Sequence, residues 1–213
     1  MNFNPLSRFF IATLVSSNFK KQFENLAKKA VAPLGKLGIL PNHITVAGLL
    51  VAIYVAWLYA KWDGKHINLV YAGLLIIISG LLDAIDGVLA RTTGNVTRFG
   101  GFFDSVLDRY SDILFLSGII IGGLCNIAAG LLALAGSLMV SYTRSRAEME
   151  GVKMAGVGFF ERAERITFVA VVSIAAYWWL PALNYGVIIL ALLSHITLIQ
   201  RVMYFKKMVE RNA

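Results

Sequence analysis

The stretch from Leu81 to Tyr110 reads LLDAIDGVLARTTGNVTRFGGFFDSVLDRY. Four aspartates, Asp83, Asp86, Asp104 and Asp108, lie there at the ends of two apolar runs. An aspartate at the centre of a membrane helix costs about 2.5–3.5 kcal/mol on insertion scales. Four in one short region need compensation, and a bound cation supplies it. Asp83 and Asp86 are three residues apart and Asp104 and Asp108 four apart, so each pair shares a helix face. A turn around Thr92–Thr97 is expected to make the two helices antiparallel neighbours, with both pairs aimed at one point. Hard oxygen donors in this number suit Mg2+, Mn2+ or Ca2+ rather than zinc or copper.

Outward from this stretch the chain is unlike a soluble domain. Of its 213 residues 58% are hydrophobic and 15% charged, where a soluble protein carries about 25% charged residues. The fold class expected is all-α integral membrane. Spans of roughly 20 residues are expected near Ile44–Tyr59, Ile67–Ala90, Phe102–Leu124, Ile127–Tyr142, Ile166–Leu180 and Tyr185–Phe205, with tight turns at Cys125–Asn126 and Pro181–Asn184. The net charge of +8 reads as basic cytoplasmic loops rather than nucleic-acid binding. Arg91, Arg98, Arg144, Arg146, Arg162, Arg165 and Arg201 fall on one side and only Lys61 and Lys65 on the other. Both termini and the acidic site should therefore face the cytoplasm from a multi-pass position in the cell membrane.

The segment Ser17–Val31 places Phe19, Phe23, Leu26 and Ala30 at helical spacing with lysines off that face. It reads as an amphipathic juxtamembrane helix, on the membrane surface or against the protein's own cytoplasmic side. Residues 1–40 are thus expected as an amphipathic cytoplasmic segment and 41–213 as one six-helix membrane domain. No cleavage site follows the apolar patch Phe9–Val15, so no signal peptide is expected. The single Cys125 reads as a small buried hydrophobe, and His43, His66 and His195 carry no assigned catalytic role. Trp62, Trp178 and Trp179 read as interface anchors.

Gly87 lets a ligand approach the backbone, Arg91 can pair with phosphate, and Gly100 and Gly101 clear the start of the next helix. With the carboxylates and a metal, these describe a diphosphate site. The stretch resembles the CDP-alcohol phosphotransferase signature D-x2-D-G-x2-A-R-x8-G-x3-D-x3-D, here Asp83, Asp86, Gly87, Ala90, Arg91, Gly100, Asp104 and Asp108 with every spacing kept. The resemblance implies displacement of CMP from a CDP-activated lipid by an acceptor hydroxyl, with two Mg2+ or Mn2+ ions as cofactor. It implies Asp83, Asp86 and Asp104 as metal ligands and Asp108 as general base and ligand to the second ion. It implies Gly87, Arg91 and Gly100 at the CDP diphosphate, Thr97 as the hydroxyl residue before the helix glycine, and Asn42 and Thr45 in the entry to the first span beside the nucleotide. It also implies a homodimer among membrane lipids.

A second run, SYTRSRAEMEGVKMAGVGFFERAERI from Ser141 to Ile166, is rich in arginine. Converging arginines can bind a phosphorylated acceptor, or pair with Glu148, Glu150, Glu161 and Glu164 as loop charge. The run is similar to the family branch that makes phosphatidylinositol phosphate or its archaeal ether-lipid equivalent. That similarity implies inositol 1-phosphate as the phosphorylated polar alcohol and Arg144, Arg165 and Arg201 as its phosphate ligands. Ala163 departs from the proline common at that position. Glycerol 3-phosphate is the alternative acceptor. An intramembrane prenyltransferase would need more helices and other motif spacing. In a cation transporter the carboxylates would sit nearer the midplane, away from Arg91 and Arg98.

Overall fold

Pro41 opens the first helix because its fixed φ and missing N–H suit the first helical position. His43 completes the start, its Nδ1 accepting the Leu40 N–H at 3.4 Å. The computed structural model describes Val31, Pro33 and residues 37–212. Six long helices follow in order: α1 (Pro41–Ala60), α2 (Ile67–Thr93), α3 (Arg98–Ile121), α4 (Ile127–Met149), α5 (Arg162–Ala175) and α6 (Pro181–Asn212). No strand occurs among the described residues. The amphipathic helix expected over Ser17–Val31 lies, apart from Val31, outside the described residues. Val31 itself is buried with Ile44, Val88 and Leu89.

Among the described residues four helices are long and apolar enough to cross a membrane: α1, α2, α4 and α6. The other two fall short for identifiable reasons. α3 carries Arg98, Asp104, Asp108, Arg109 and Asp112 in its first two-thirds. α5 has 14 residues, about 21 Å at 1.5 Å per residue, against a hydrocarbon core of about 30 Å. The span expected over Ile166–Leu180 therefore ends early, in turns through Trp178. Residues 181–184 belong to α6 rather than to a turn, with Pro181 opening a helix of 32 residues.

Local chemistry sets the other boundaries. Gly94, in the left-handed region at φ +71°, closes α2. The Thr97 hydroxyl accepts the Gly100 N–H at 2.9 Å and starts α3. Asn126 caps α4 by accepting from the Ala129 N–H at 3.1 Å. Its own N–H donates to Asn184 Oδ1 at 2.7 Å, joining the starts of α4 and α6.

The helices approach through small residues, as membrane bundles do where van der Waals packing replaces a hydrophobic driving force. Gly118 of α3 lies against the Ala56 backbone of α1, where an added Cβ would sit 2.8 Å from Ala56 Cα. Gly73 of α2 faces Ala170 and Ile174 of α5, and Gly136 of α4 faces Ser194 and His195 of α6. A buried hydrogen bond of 2.5 Å joins Tyr59 of α1 to Ser173 of α5.

One expectation changes materially. α2 and α3 are not packed neighbours. α1 packs closely on both, while the backbones of α2 and α3 barely meet. The side chains of their facing ends fill the gap instead. The outer faces of the bundle carry Leu50, Ile53, Tyr71, Leu74, Ile78 and Leu192, all exposed, which in lipid is the apolar side. Trp178 and Trp179 are exposed as interface anchors should be, whereas Trp62 packs partly against the core.

Gly118→Leu should lower stability by about 1–3 kcal/mol through overpacking against α1. Gly101→Ala, whose Cβ meets nothing within 4 Å, should leave stability near wild type. Thermal unfolding in detergent micelles measures both.

Candidate active site

The C-terminal half of α2 and the N-terminal half of α3 bring the aspartates together. Asp83, Asp104 and Asp108 each offer a carboxylate oxygen, and these oxygens lie within 4.8 Å of one another. Asp104 Oδ1 is buried and accepts no hydrogen bond. Three converging hard oxygen donors, one of them orphaned, fit a divalent cation. Asp86 stands slightly apart. It is 5% exposed, and its Oδ2 accepts the Thr45 hydroxyl at 2.6 Å. Thr45, expected beside the nucleotide, thus also orients a carboxylate of the cluster, as outer partners of ligand groups do.

The cluster stands between two cavities. The smaller, about 270 Å³, is lined by Asn42, Thr45, Asp86, Gly87, Arg91, Thr97, Gly100 and Asp104 among others. Every residue expected at the CDP-lipid lines this one space. The Gly100 position is tight: a Cβ there would sit 2.9 Å from Thr97 Oγ1 and 3.5 Å from Asn42 Oδ1. The Thr97 hydroxyl is already engaged as the cap of α3, so it shapes this wall as well as facing the cavity.

The larger cavity, about 700 Å³, has Asp83 and Asp108 on one wall. Arg109, Arg144, Arg162, Arg165 and Arg201 line the remainder, with Ser141, Glu148 and Glu161. The three arginines expected at an acceptor phosphate all reach it, in different states. Arg144 is half-exposed and pairs with Glu148 at 3.0 Å. Arg165 is buried, its Nη2 donating to Asp112 Oδ2 at 3.2 Å and to Ser141 Oγ at 3.4 Å. Arg201, 2% exposed, is largely committed to the fold. Its Nε donates to the Val157 carbonyl at 2.9 Å and its Nη1 to the Val140 carbonyl at 2.5 Å. Its Nη2 lies 3.6 Å from Glu161. Arg201 therefore anchors the α4–α5 loop and forms a wall of the cavity at the same time. Arg146 pairs with Glu150 on the exposed surface and does not line the cavity.

The residue that organises both walls is Arg162. Its Nη1 donates to Asp83 Oδ2 at 3.0 Å, its Nη2 meets Asp108 Oδ1 at 3.0 Å, and its Nε lies 3.4 Å from Asp112 Oδ1. The sequence places Arg162 among the cytoplasmic arginines but does not single it out. Asp112 goes unnoticed there, although it stands four residues beyond Asp108 on the same helix face, the very spacing that pairs Asp104 with Asp108. That periodic third carboxylate on one face is the signal that would have found it.

Archaetidylinositol phosphate synthase of Pyrococcus horikoshii is 41% identical over 90% of this chain and 94% of its own length. A crystal structure of Mycobacterium tuberculosis phosphatidylinositol phosphate synthase with CDP-DAG bound superposes with a TM-score of 0.72 at 28% identity, covering 85% of this chain and 94% of that one. The same enzyme in complex with manganese and citrate gives a TM-score of 0.72 at 29% identity, covering 84% and 88%. Residues 38–199 match the family described as CDP-alcohol phosphatidyltransferase. This chain is a membrane protein and belongs to the CDP-alcohol phosphatidyltransferase family.

Proposed function

We propose that the protein transfers the phosphatidyl-type group of a CDP-activated lipid, diacyl or archaeal ether, to a hydroxyl of inositol 1-phosphate, releasing CMP. The observation that carries this is the acidic cluster shared by two cavities, one lined by the CDP-signature residues and the other by arginines. The names and bound CDP-DAG of the relatives support it.

In this reading Asn42, Thr45, Gly87, Arg91, Thr97 and Gly100 hold the CDP end of the lipid. Asp83, Asp86, Asp104 and Asp108 hold two divalent ions, Mg2+ or Mn2+. When bound, these supply polarisation of the phosphoryl oxygens and stabilisation of the leaving phosphate. Arg144, Arg165 and Arg201 bind the phosphate of the acceptor, whose free hydroxyl then faces Asp108 across the cavity wall. Asp108 takes the hydroxyl proton as the oxygen attacks the lipid-side phosphorus. The bond from that phosphorus to the bridging oxygen breaks, and CMP leaves on the side of the smaller cavity.

In this reading α3 and α5 complete a six-pass bundle with the four apolar helices, and the basic connections support a site that faces the cytoplasm. The working unit in this reading is a homodimer.

Purified protein in lipid nanodiscs, given CDP-lipid and a panel of acceptors, should release CMP with inositol 1-phosphate. Release with glycerol 3-phosphate alone would move the acceptor assignment, and no release with any acceptor would refute the reaction. Asp108→Asn should lower turnover by at least about 100-fold, the lower range for general-base loss, with CDP-lipid binding retained. Loss of binding equal to that in Asp83→Asn would remove the separate base role. Arg165→Ala should raise the acceptor KM by about tenfold or more, as for a charge-assisted hydrogen bond, and change CDP-lipid affinity less. An unchanged acceptor KM would take Arg165 out of the pocket.

A further inference from the structure

Asp112 is a buried carboxylate that the reaction above does not use. It lies one helical turn beyond Asp108, does not line the large cavity, and abuts a small space walled by Phe115, Leu116, Ile166, Val169 and Leu190. Its side chain is 7% exposed. A carboxylate in such apolar surroundings needs partners, and it has two from α5. Oδ2 takes Arg165 Nη2 at 3.2 Å, and Oδ1 lies 3.4 Å from Arg162 Nε.

We propose that Asp112 is a positioning residue that holds the guanidiniums of Arg162 and Arg165 against the acceptor cavity and so sets its affinity for a phosphorylated acceptor. The inference rests on the acceptor reading given above. Three nitrogens of Arg162 meet three different carboxylates, Asp83, Asp108 and Asp112. Asp112 is the one of these outside the cavity, and it draws the Nε edge of the guanidinium as an ion pair at 3.4 Å, without a hydrogen bond. With Asp112 uncharged, Arg162 is drawn onto Asp83 and Asp108 alone. Arg165 then keeps only the Ser141 hydroxyl and the Phe160 carbonyl, at 3.4 and 3.5 Å. Two cations facing the acceptor would lose their fixed orientation together, although neither would lose its charge.

A purely structural carboxylate would neutralise a buried arginine and no more. Its loss would reduce stability and the amount of folded enzyme without separating the kinetic constants. The test uses full-length protein in nanodiscs carrying Asp112→Asn or Asp112→Glu. Folded Asp112→Asn is expected to raise the acceptor KM by about tenfold or more, while the KM for CDP-lipid stays within about twofold. Equal changes in both constants, or none, would overturn the proposal. If Asp112→Asn does not fold, Asp112→Glu decides. It keeps the charge but lengthens the side chain by one methylene, so a raised acceptor KM supports positioning and a wild-type value refutes it.

Wild-type turnover with inositol 1-phosphate separates the two layers of inference. Should the wild type prefer glycerol 3-phosphate, the acceptor assignment falls and the Asp112 variants are compared with that substrate. Calorimetric binding of inorganic phosphate gives a readout independent of turnover. Asp112→Asn should weaken it by the same factor, and an unchanged affinity would count against the proposal.

Discussion

The structure turns on one electrostatic constraint, the gathering of carboxylates where two apolar helices end. Bringing Asp83, Asp104 and Asp108 within 4.8 Å sets like charges against one another in a medium that screens them poorly. Arg162 answers from α5 with one nitrogen to each of Asp83, Asp108 and Asp112. This ties α5 to α2 and α3. The close approach of α1 completes the frame. Gly118 lets α3 rest on α1, and Ser79 of α2 donates to the Gly48 carbonyl at 3.1 Å from the other side. α1 thereby holds α2 and α3 at a separation that side chains, not backbones, bridge.

That separation explains the two cavities. Gly87, Arg91 and Gly100 face one open space and Arg144, Arg162, Arg165 and Arg201 another, with acidic side chains between them. A reaction that joins two charged substrates through one phosphorus needs such a common wall. Each substrate can be bound by its own phosphate chemistry, and only the reacting atoms need to meet at the carboxylates.

Much of this is legible in the sequence because it is local. Spacings of three and four residues place Asp83 with Asp86 and Asp104 with Asp108. Gly94 and Thr97 mark the turn by conformational need and capping. The fixed distances from Asp83 to Asp108 carry the family resemblance. What sequence reading missed is tertiary. Nothing local shows that α1 packs on both α2 and α3 while those two barely meet. Arg162 looks like any cytoplasmic arginine until three carboxylates from other parts of the chain close on it. Arg201, an acceptor ligand by resemblance, commits two of its three guanidinium nitrogens to the carbonyls of Val140 and Val157. A sequence carries no mark of that partition.

The most direct measurement is an experimental structure of the protein with CDP-lipid, a divalent ion and inositol 1-phosphate held together, for instance in the Asp108→Asn variant. The cytidine diphosphate is expected in the cavity of Asn42, Gly87 and Thr97. The acceptor phosphate is expected among Arg144, Arg165 and Arg201, with the ion between them at the aspartates. Both substrates in one cavity, or an acceptor phosphate away from the arginines, would contradict a site divided by its carboxylates.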